Sequence, residues 1–168
     1  VILPQLSKHI ESRKKNKILL IQNKALELSL FLSLPATIAL LIGSEQIISA
    51  LFGYGSFNVN SVNNSSLALY YFALGLPAFA FIKVFSSFFF ANHDTKTPFY
   101  ISLISVMLNI FISVYFFNDI GFIIIPIATS ISSWFNSILL FLFLKNRQLF
   151  YFNKIFFIKF FKIIFASA

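Results

Sequence analysis

Long apolar runs separated by short polar stretches dominate the chain. Four of them are long enough for a membrane-spanning helix, which needs roughly 20 apolar residues to cross about 30 Å of hydrocarbon. They cover about residues 25–52, 66–91, 99–117 and 121–144. The first contains Pro35 and, near its far end, the polar patch Gly43-Ser44-Glu45-Gln46. Runs this long and this uniformly apolar are rare in soluble domains, so the pattern predicts four transmembrane helices. Residues 1–24 read as the end of a preceding transmembrane helix followed by a basic cytoplasmic loop, and residues 145–168 as a basic cytoplasmic loop and the start of a further helix. Lys154, Lys159 and Lys162 fall within an arc of about 140° on a helix of 3.6 residues per turn. That last helix therefore either begins a further span with snorkelling lysines or lies flat in the interface. No repeat, low-complexity linker or second domain interrupts the pattern. The expected fold class is an all-α integral membrane protein, a polytopic transmembrane helix bundle.

Composition strengthens this picture. Of 168 residues, 58% are hydrophobic and 11% charged, with a mean hydropathy of +0.86. Soluble domains carry about a quarter charged residues, and disordered chains are poor in apolar ones, so both classes are excluded. The 25 phenylalanines accompany frequent Ile, Lys and Asn, which reads as an AT-rich coding bias rather than a ligand box. The chain opens Val1-Ile2-Leu3-Pro4 without an initiator Met and stops inside the apolar run Phe165-Ala166-Ser167-Ala168. It is expected to be an internal fragment of a longer membrane protein.

The charge pattern sets an orientation. The net charge is +8, but the basic residues flank apolar runs, which points to membrane topology rather than to nucleic acid. Before the first span there are six basic residues, in 53–65 none, in 92–98 one, in 118–120 none and after the fourth span five; the thirteenth is Lys83, inside the second span. By the positive-inside rule residues 1–24, 92–98 and 145–154 are expected in the cytoplasm, and loops 53–65 and 118–120 outside.

Little in the sequence suggests catalysis or a cofactor. There are no cysteines, which removes disulfides and Cys-ligated metals. The five acids, Glu11, Glu27, Glu45, Asp94 and Asp119, stand singly near span ends, with no pair spaced to hold Mg²⁺ on one helix face. No nucleophile elbow, zinc-protease or phosphate-loop motif occurs. His9 and His93 read as solvated loop residues. The expectation is a non-enzyme without an identified cofactor.

Lys83 carries the most information. It lies about eight residues from the cytoplasmic end of its span, roughly 12 Å at 1.5 Å per residue. A charge there is costly and by default faces a bundle interior or wet cavity, or snorkels. In a transporter of anionic substrates it would meet a phosphate as a point charge. Asn109 and Asn136 sit mid-span and are expected to hydrogen-bond neighbouring helices. Pro35, Pro77 and Pro126 should kink their spans or mark first turns. Asn92-His93-Asp94-Thr95-Lys96-Thr97-Pro98 reads as a tight turn in which Asp94 accepts local backbone N–H groups and Pro98 opens the next helix. Lys83 is the cavity candidate; Asp94, Lys96, Pro77, Asn109, Asn136 and Glu45 are structural or gating candidates.

These residues form a familiar series. Ala73-Leu74-Gly75-Leu76-Pro77-Ala78-Phe79, Lys83-Val84, Phe90-Ala91 and Asp94-Thr95-Lys96-Thr97-Pro98 together resemble the MurJ/MviN lipid II flippase family, which often reads "ALGLPAF…KV…FYA…DTRTP" across one span and its turn. Leu3-Pro4-Gln5-Leu6-Ser7, Leu34-Pro35-Ala36, Ser44-Glu45, Leu51-Phe52-Gly53-Tyr54-Gly55-Ser56-Phe57, Ser105-Val106, Asn109, Ala128-Thr129-Ser130 and Trp134-Phe135-Asn136 fit the same register, so that the resemblance covers about residues 1–147. Gly53-Tyr54 departs from the charged pair the family often has after "LF", and Ile125-Pro126 from its usual small or aliphatic residues.

The resemblance implies a partial C-terminal lobe of a fourteen-helix, two-lobed flippase fold of the multidrug/oligosaccharidyl-lipid/polysaccharide exporter superfamily. It implies transport of undecaprenyl-linked peptidoglycan precursor, lipid II, across the bacterial cytoplasmic (inner) membrane by alternating access, with membrane lipids as further partners, no nucleic acid and a monomeric full-length protein. Coupling to an ion or to the membrane potential stays open. The family's cavity arginines lie mainly in segments this chain does not include, so none is carried over and the chain alone is not expected to flip lipid. The alternatives are another exporter of the superfamily (an O-antigen or polysaccharide flippase, or a drug antiporter), a non-transporting membrane structural subunit, and a membrane enzyme.

Overall fold

A computed structural model of the chain describes residues 15–55 and 58–147. It is all-helical: α1 is Lys15–Phe52, α2 Val59–Ala91, α3 Lys96–Ile120 and α4 Ile124–Asn146, with a single 3₁₀ turn, Gly121–Ile123, between the last two. Residues 1–14 and 148–168, and with them the expected further span or interfacial helix, lie outside the described residues.

The helices outrun the apolar stretches that announce them. α2 begins at Val59, not near residue 66, because Asn58 caps it. The Asn58 Oδ1 accepts from the Ser61 backbone N–H at 2.9 Å and from the Ser61 hydroxyl at 3.0 Å. That satisfies helix-end donors and lets the polar segment Asn60–Ser65 continue the helix. α3 begins at Lys96 and takes Pro98 into its first turn, where a missing N–H costs nothing. Pro126 sits likewise in the first turn of α4, whereas Pro35 and Pro77 lie deep inside α1 and α2.

Lys96–Asn146 forms a helical, apolar stretch of 51 residues. It does not run straight. At Gly121 the backbone turns into the left-handed region (φ 73°), which a residue without a Cβ adopts freely, and the chain reverses. Asn109 meets Thr129 and Ser132, Ser102 meets Asn136, and Asp94 meets Arg147. This descending register makes α3 and α4 an antiparallel pair.

The four helices form a row in the order α1, α2, α4, α3. α2 packs on α1 and on α4, and α4 packs on α3, which barely touches α2. The core sits toward the end of the row where α2 ends and α3 begins. It is built from Ala25, Leu26 and Leu30 of α1, Val84, Phe85, Phe88, Phe89 and Ala91 of α2, Ile101 of α3, and Leu140 and Leu144 of α4. Aromatic rings continue it along α2 and α4: Phe81 stacks on Phe85 and meets Trp134 edge-on, and Phe85 packs on Phe141. The outer face of α3 is left uncovered, with Leu103, Val106, Met107, Ile110 and Val114 all exposed. In lipid such a face is unremarkable, because hydrocarbon solvates Leu as well as a protein core does.

Candidate functional site

Polar side chains gather in three places along the row. The first is the face of α2 that carries Lys83. Lys83 is exposed, and residues 72, 79 and 90, all phenylalanines and all exposed, share its face at spacings of 11, 4 and 7 residues. Ser87, one turn on, donates to the Lys83 carbonyl at 2.8 Å. The structure thus sets one cation on an aromatic stripe of a membrane-length helix and turns it away from the core.

The second is a polar seam between α3 and α4. The Asn109 amide donates to Thr129 Oγ1 at 3.1 Å and to Ser132 Oγ at 3.3 Å. Two turns along, the Asn136 amide reaches Ser102 Oγ at 3.4 Å. Ser132 and Asn136 are buried, as are Ser105 and Ser133 nearby. Small residues of this kind let helices approach, and their hydroxyls bond carbonyls of their own helix, as Thr129, Ser132 and Ser133 do. Asn109 and Asn136 therefore cross-link the α3–α4 pair.

The third place is the turn at residues 92–95. Asn92 closes α2 by donating to the Phe88 carbonyl at 2.8 Å, and His93 takes a left-handed φ of 58°. Asp94 then opens α3: its Oδ1 accepts the Thr97 N–H at 3.0 Å and its Oδ2 the Thr97 hydroxyl at 2.6 Å. Arg147, at the end of α4, forms an ion pair with Asp94 Oδ2, donates to Thr97 Oγ1 at 3.1 Å and lies over the Phe89 ring. The turn expected from sequence is therefore also a tie between three helices. Lys96 and Glu45 are exposed, the latter on α1 far from this turn in sequence.

The two hydrogen bonds from Thr97, and secondarily Arg147, lower the Asp94 pKa from 3.8 to about 2. A carboxylate whose pKa is depressed by folding adds stability above its unfolded pKa, and that stability is lost as pH falls through the folded value. The melting-temperature gap between the full-length protein and its Asp94→Asn variant is therefore expected to stay constant from pH 8 to 5. It should narrow only as pH drops from about 4 toward 2. Thermal unfolding in detergent across that range checks it, and a gap already closing near pH 6 would contradict it.

The sequence singles out Asp94, Asn109 and Asn136, and carries Gly75, Ser130 and Trp134 in the family resemblance, but gives no partner for these last three and no role for Arg147 beyond its charge. Ser130 donates to the Tyr71 carbonyl at 2.5 Å and the Trp134 indole N–H to the Leu74 carbonyl at 3.0 Å. Their spacing of four residues, which places both on one face of α4, is the signal that was available. Among the described residues, no three His, Cys, Asp or Glu side chains come together as metal ligands.

A model of the family described as "Lipid II flippase MurJ" matches residues 1–168. The chain is 38% identical over 136 residues to the probable lipid II flippase MurJ of Rickettsia prowazekii (strain Madrid E), covering 81% of this chain and 27% of that protein. It is 37% identical over 147 residues to the corresponding protein of Rhizobium tropici, covering 88% and 28%. With that of Thermotoga maritima it shares 39% over 140 residues, covering 83% and 28%. A solved structure titled "Lipid II flippase MurJ, inward closed conformation" matches with a TM-score of 0.83 at 28% identity, over 99% of this chain and 34% of that one. The chain thus spans somewhat more than a quarter of the length of these relatives.

Proposed function

Because the chain belongs to the lipid II flippase MurJ family, we propose that it is part of a transporter. That transporter moves lipid II, the lipid-linked peptidoglycan precursor, from the inner to the outer leaflet of the bacterial cytoplasmic membrane. The observation that supports this reading most is the match of its whole helical row to a flippase structure over 99% of its length. The physics agrees. A charged head group cannot cross hydrocarbon unaided, and a lobe of kinked, polar-seamed helices around a wet cavity is a recurrent way to shield it.

In this reading the turn at Asp94 and the basic end of α4 lie in the cytoplasm, and the reversal at Gly121 faces outward. Lys83 is the contribution of this segment to the cavity, a point charge for a passing phosphate. Asp94, Asn109, Asn136 and Pro77 keep the row in shape, and Lys96 and Glu45 sit at its two surfaces. The work is transport rather than catalysis, coupled to an ion or to the membrane potential, and the full-length protein works as a monomer.

The test uses the full-length protein that contains this segment. Reconstituted into vesicles loaded with lipid II on one leaflet, it should expose the precursor on the other, and depleting it in cells should leave lipid II facing inward. Movement of a different lipid-linked glycan, with lipid II left in place, would overturn the reading in favour of another exporter of the same superfamily.

A further inference from the structure

α2 runs unbroken from Val59 to Ala91 with Pro77 inside it, and what surrounds that proline decides what it does. Proline has no N–H to give and its ring pushes against the carbonyl one turn back, so the helix loses support around residues 71–74. The carbonyl that loses its N–H partner is that of Ala73, and α4 bonds the carbonyls on either side of it. Ser130 donates to the Tyr71 carbonyl and Trp134 to the Leu74 carbonyl, the two standing one turn apart just ahead of Pro77. The indole also meets Phe81, beyond Pro77, so that a single α4 side chain touches both halves of α2.

Gly75 makes this possible. A Cβ there would lie 2.9 Å from Ser130 Oγ and 3.3 Å from Ser130 Cα, so the two backbones approach as only a glycine permits. Gly75, Pro77 and Ala78 are all buried against the neighbour. At the far end, Arg147 of α4 holds Asp94 just past the end of α2. Pro77 is therefore gripped on both sides, and the pair is tied again about four turns further on, just past the end of α2.

We propose that Pro77 is a rigid point of α2 and not a hinge, and that α2 and α4 travel as one rigid body through the transport cycle. Ser130 and Trp134 then act as positioning residues: they set the direction of the turn of α2 that carries Lys83. The inference rests on the transport reading only for its assay. A proline in a transporter helix is commonly taken as a point of flexure, and the hydrogen bonds here argue the reverse. A hinge at Pro77 would have to part α4 from one half of α2, breaking either the two hydrogen bonds ahead of the proline or the Phe81–Trp134 and Phe85–Phe141 packing and the Asp94–Arg147 pair beyond it.

A covalent link between the two helices tests this. The chain has no cysteines, so a pair introduced into it reports cleanly once any cysteines elsewhere in the full-length protein are replaced. Gly75→Cys with Ser130→Cys places the two side chains within disulfide reach. Where that pair folds poorly, Phe85→Cys with Phe141→Cys, joined by a short bifunctional thiol reagent, replaces it; these rings pack at 5.9 Å. The expected result is that the linked protein flips lipid II within about two-fold of its own reduced form. A linked protein that stops flipping, and recovers on reduction or without the reagent, would overturn the proposal. Failure of the unmodified full-length protein to flip at all would count against the transport reading, not against the rigid pair. In that case, spectroscopic distances between labels on α2 and α4 decide: one unchanged distance across conditions supports the proposal, and two populations refute it.

Discussion

Replacing Lys83 by methionine in the full-length protein is expected to slow lipid II flipping by ten- to thirty-fold at unchanged protein abundance. Methionine keeps the length and apolar stem of lysine and removes only the ammonium. If that ammonium meets a phosphate at about 4 Å, the attraction is roughly 4 kcal/mol at an effective dielectric of about 20. Part of this offsets the cost of stripping water from both charges, which leaves about 1.4–2 kcal/mol, or ten- to thirty-fold in rate. A mid-membrane charge otherwise costs its helix about 2.5–3.5 kcal/mol, so the methionine variant should insert at least as well as the parent. Lys83→Arg keeps the charge on a longer side chain and should retain most of the activity. Normal flipping by Lys83→Met at normal abundance would mean that the side chain merely snorkels. Lys83 is exposed away from the core on the Phe72, Phe79 and Phe90 stripe, a placement that a cavity and a snorkelling position share, so the flipping rate at equal abundance is what separates them.

How much of this was legible without coordinates depends on the type of signal. The four helices are written in the apolar runs, because a bilayer demands length and apolarity and little else. Their ends were not. The first turns of α2 are polar, Asn60 to Ser65, and belong to the helix only because Asn58 caps them. Asp94 and the two mid-span asparagines stood out as polar residues in apolar surroundings, and each makes the kind of bond expected. Their partners could not be read, since Arg147 is 53 residues from Asp94 and only the reversal at Gly121 brings them together. The α2–α4 contact was the least legible. Glycine and serine at a helix crossing look like any small residues until the neighbouring backbone is known, and the Trp134 N–H gives no hint in sequence that it bonds a carbonyl 60 residues away. The family resemblance pointed to the right block, Ala73 to Phe79, without a reason for it. The structure supplies one: that block is where α4 grips the backbone.

Gly75→Leu should therefore be strongly destabilising. The first added atom already collides: a Cβ would sit 2.9 Å from Ser130 Oγ, 3.2 Å from the Phe79 ring and 3.3 Å from Ser130 Cα. The Ser130 hydroxyl can rotate away, but its Cα is backbone and cannot. Leucine adds three more carbons in the same direction, so α4 must move outward. Overpacking of this sort costs about 1–3 kcal/mol. Moving α4 also strips the Ser130–Tyr71 and Trp134–Leu74 bonds, each worth about 0.6 kcal/mol between membrane helices. The expected loss is about 3 kcal/mol for Leu. For Ala the expected loss is smaller, because better helix propensity, about 1 kcal/mol, offsets part of the clash its Cβ makes. Ser130→Ala should rescue Gly75→Leu only in part, since it removes the hydroxyl contact and leaves the backbone one. Thermal unfolding of the full-length variants in detergent checks the series. A Gly75→Leu protein as stable as the parent would mean that the two helices are not in the close contact described, and the rigidity proposed at Pro77 would lose its main support.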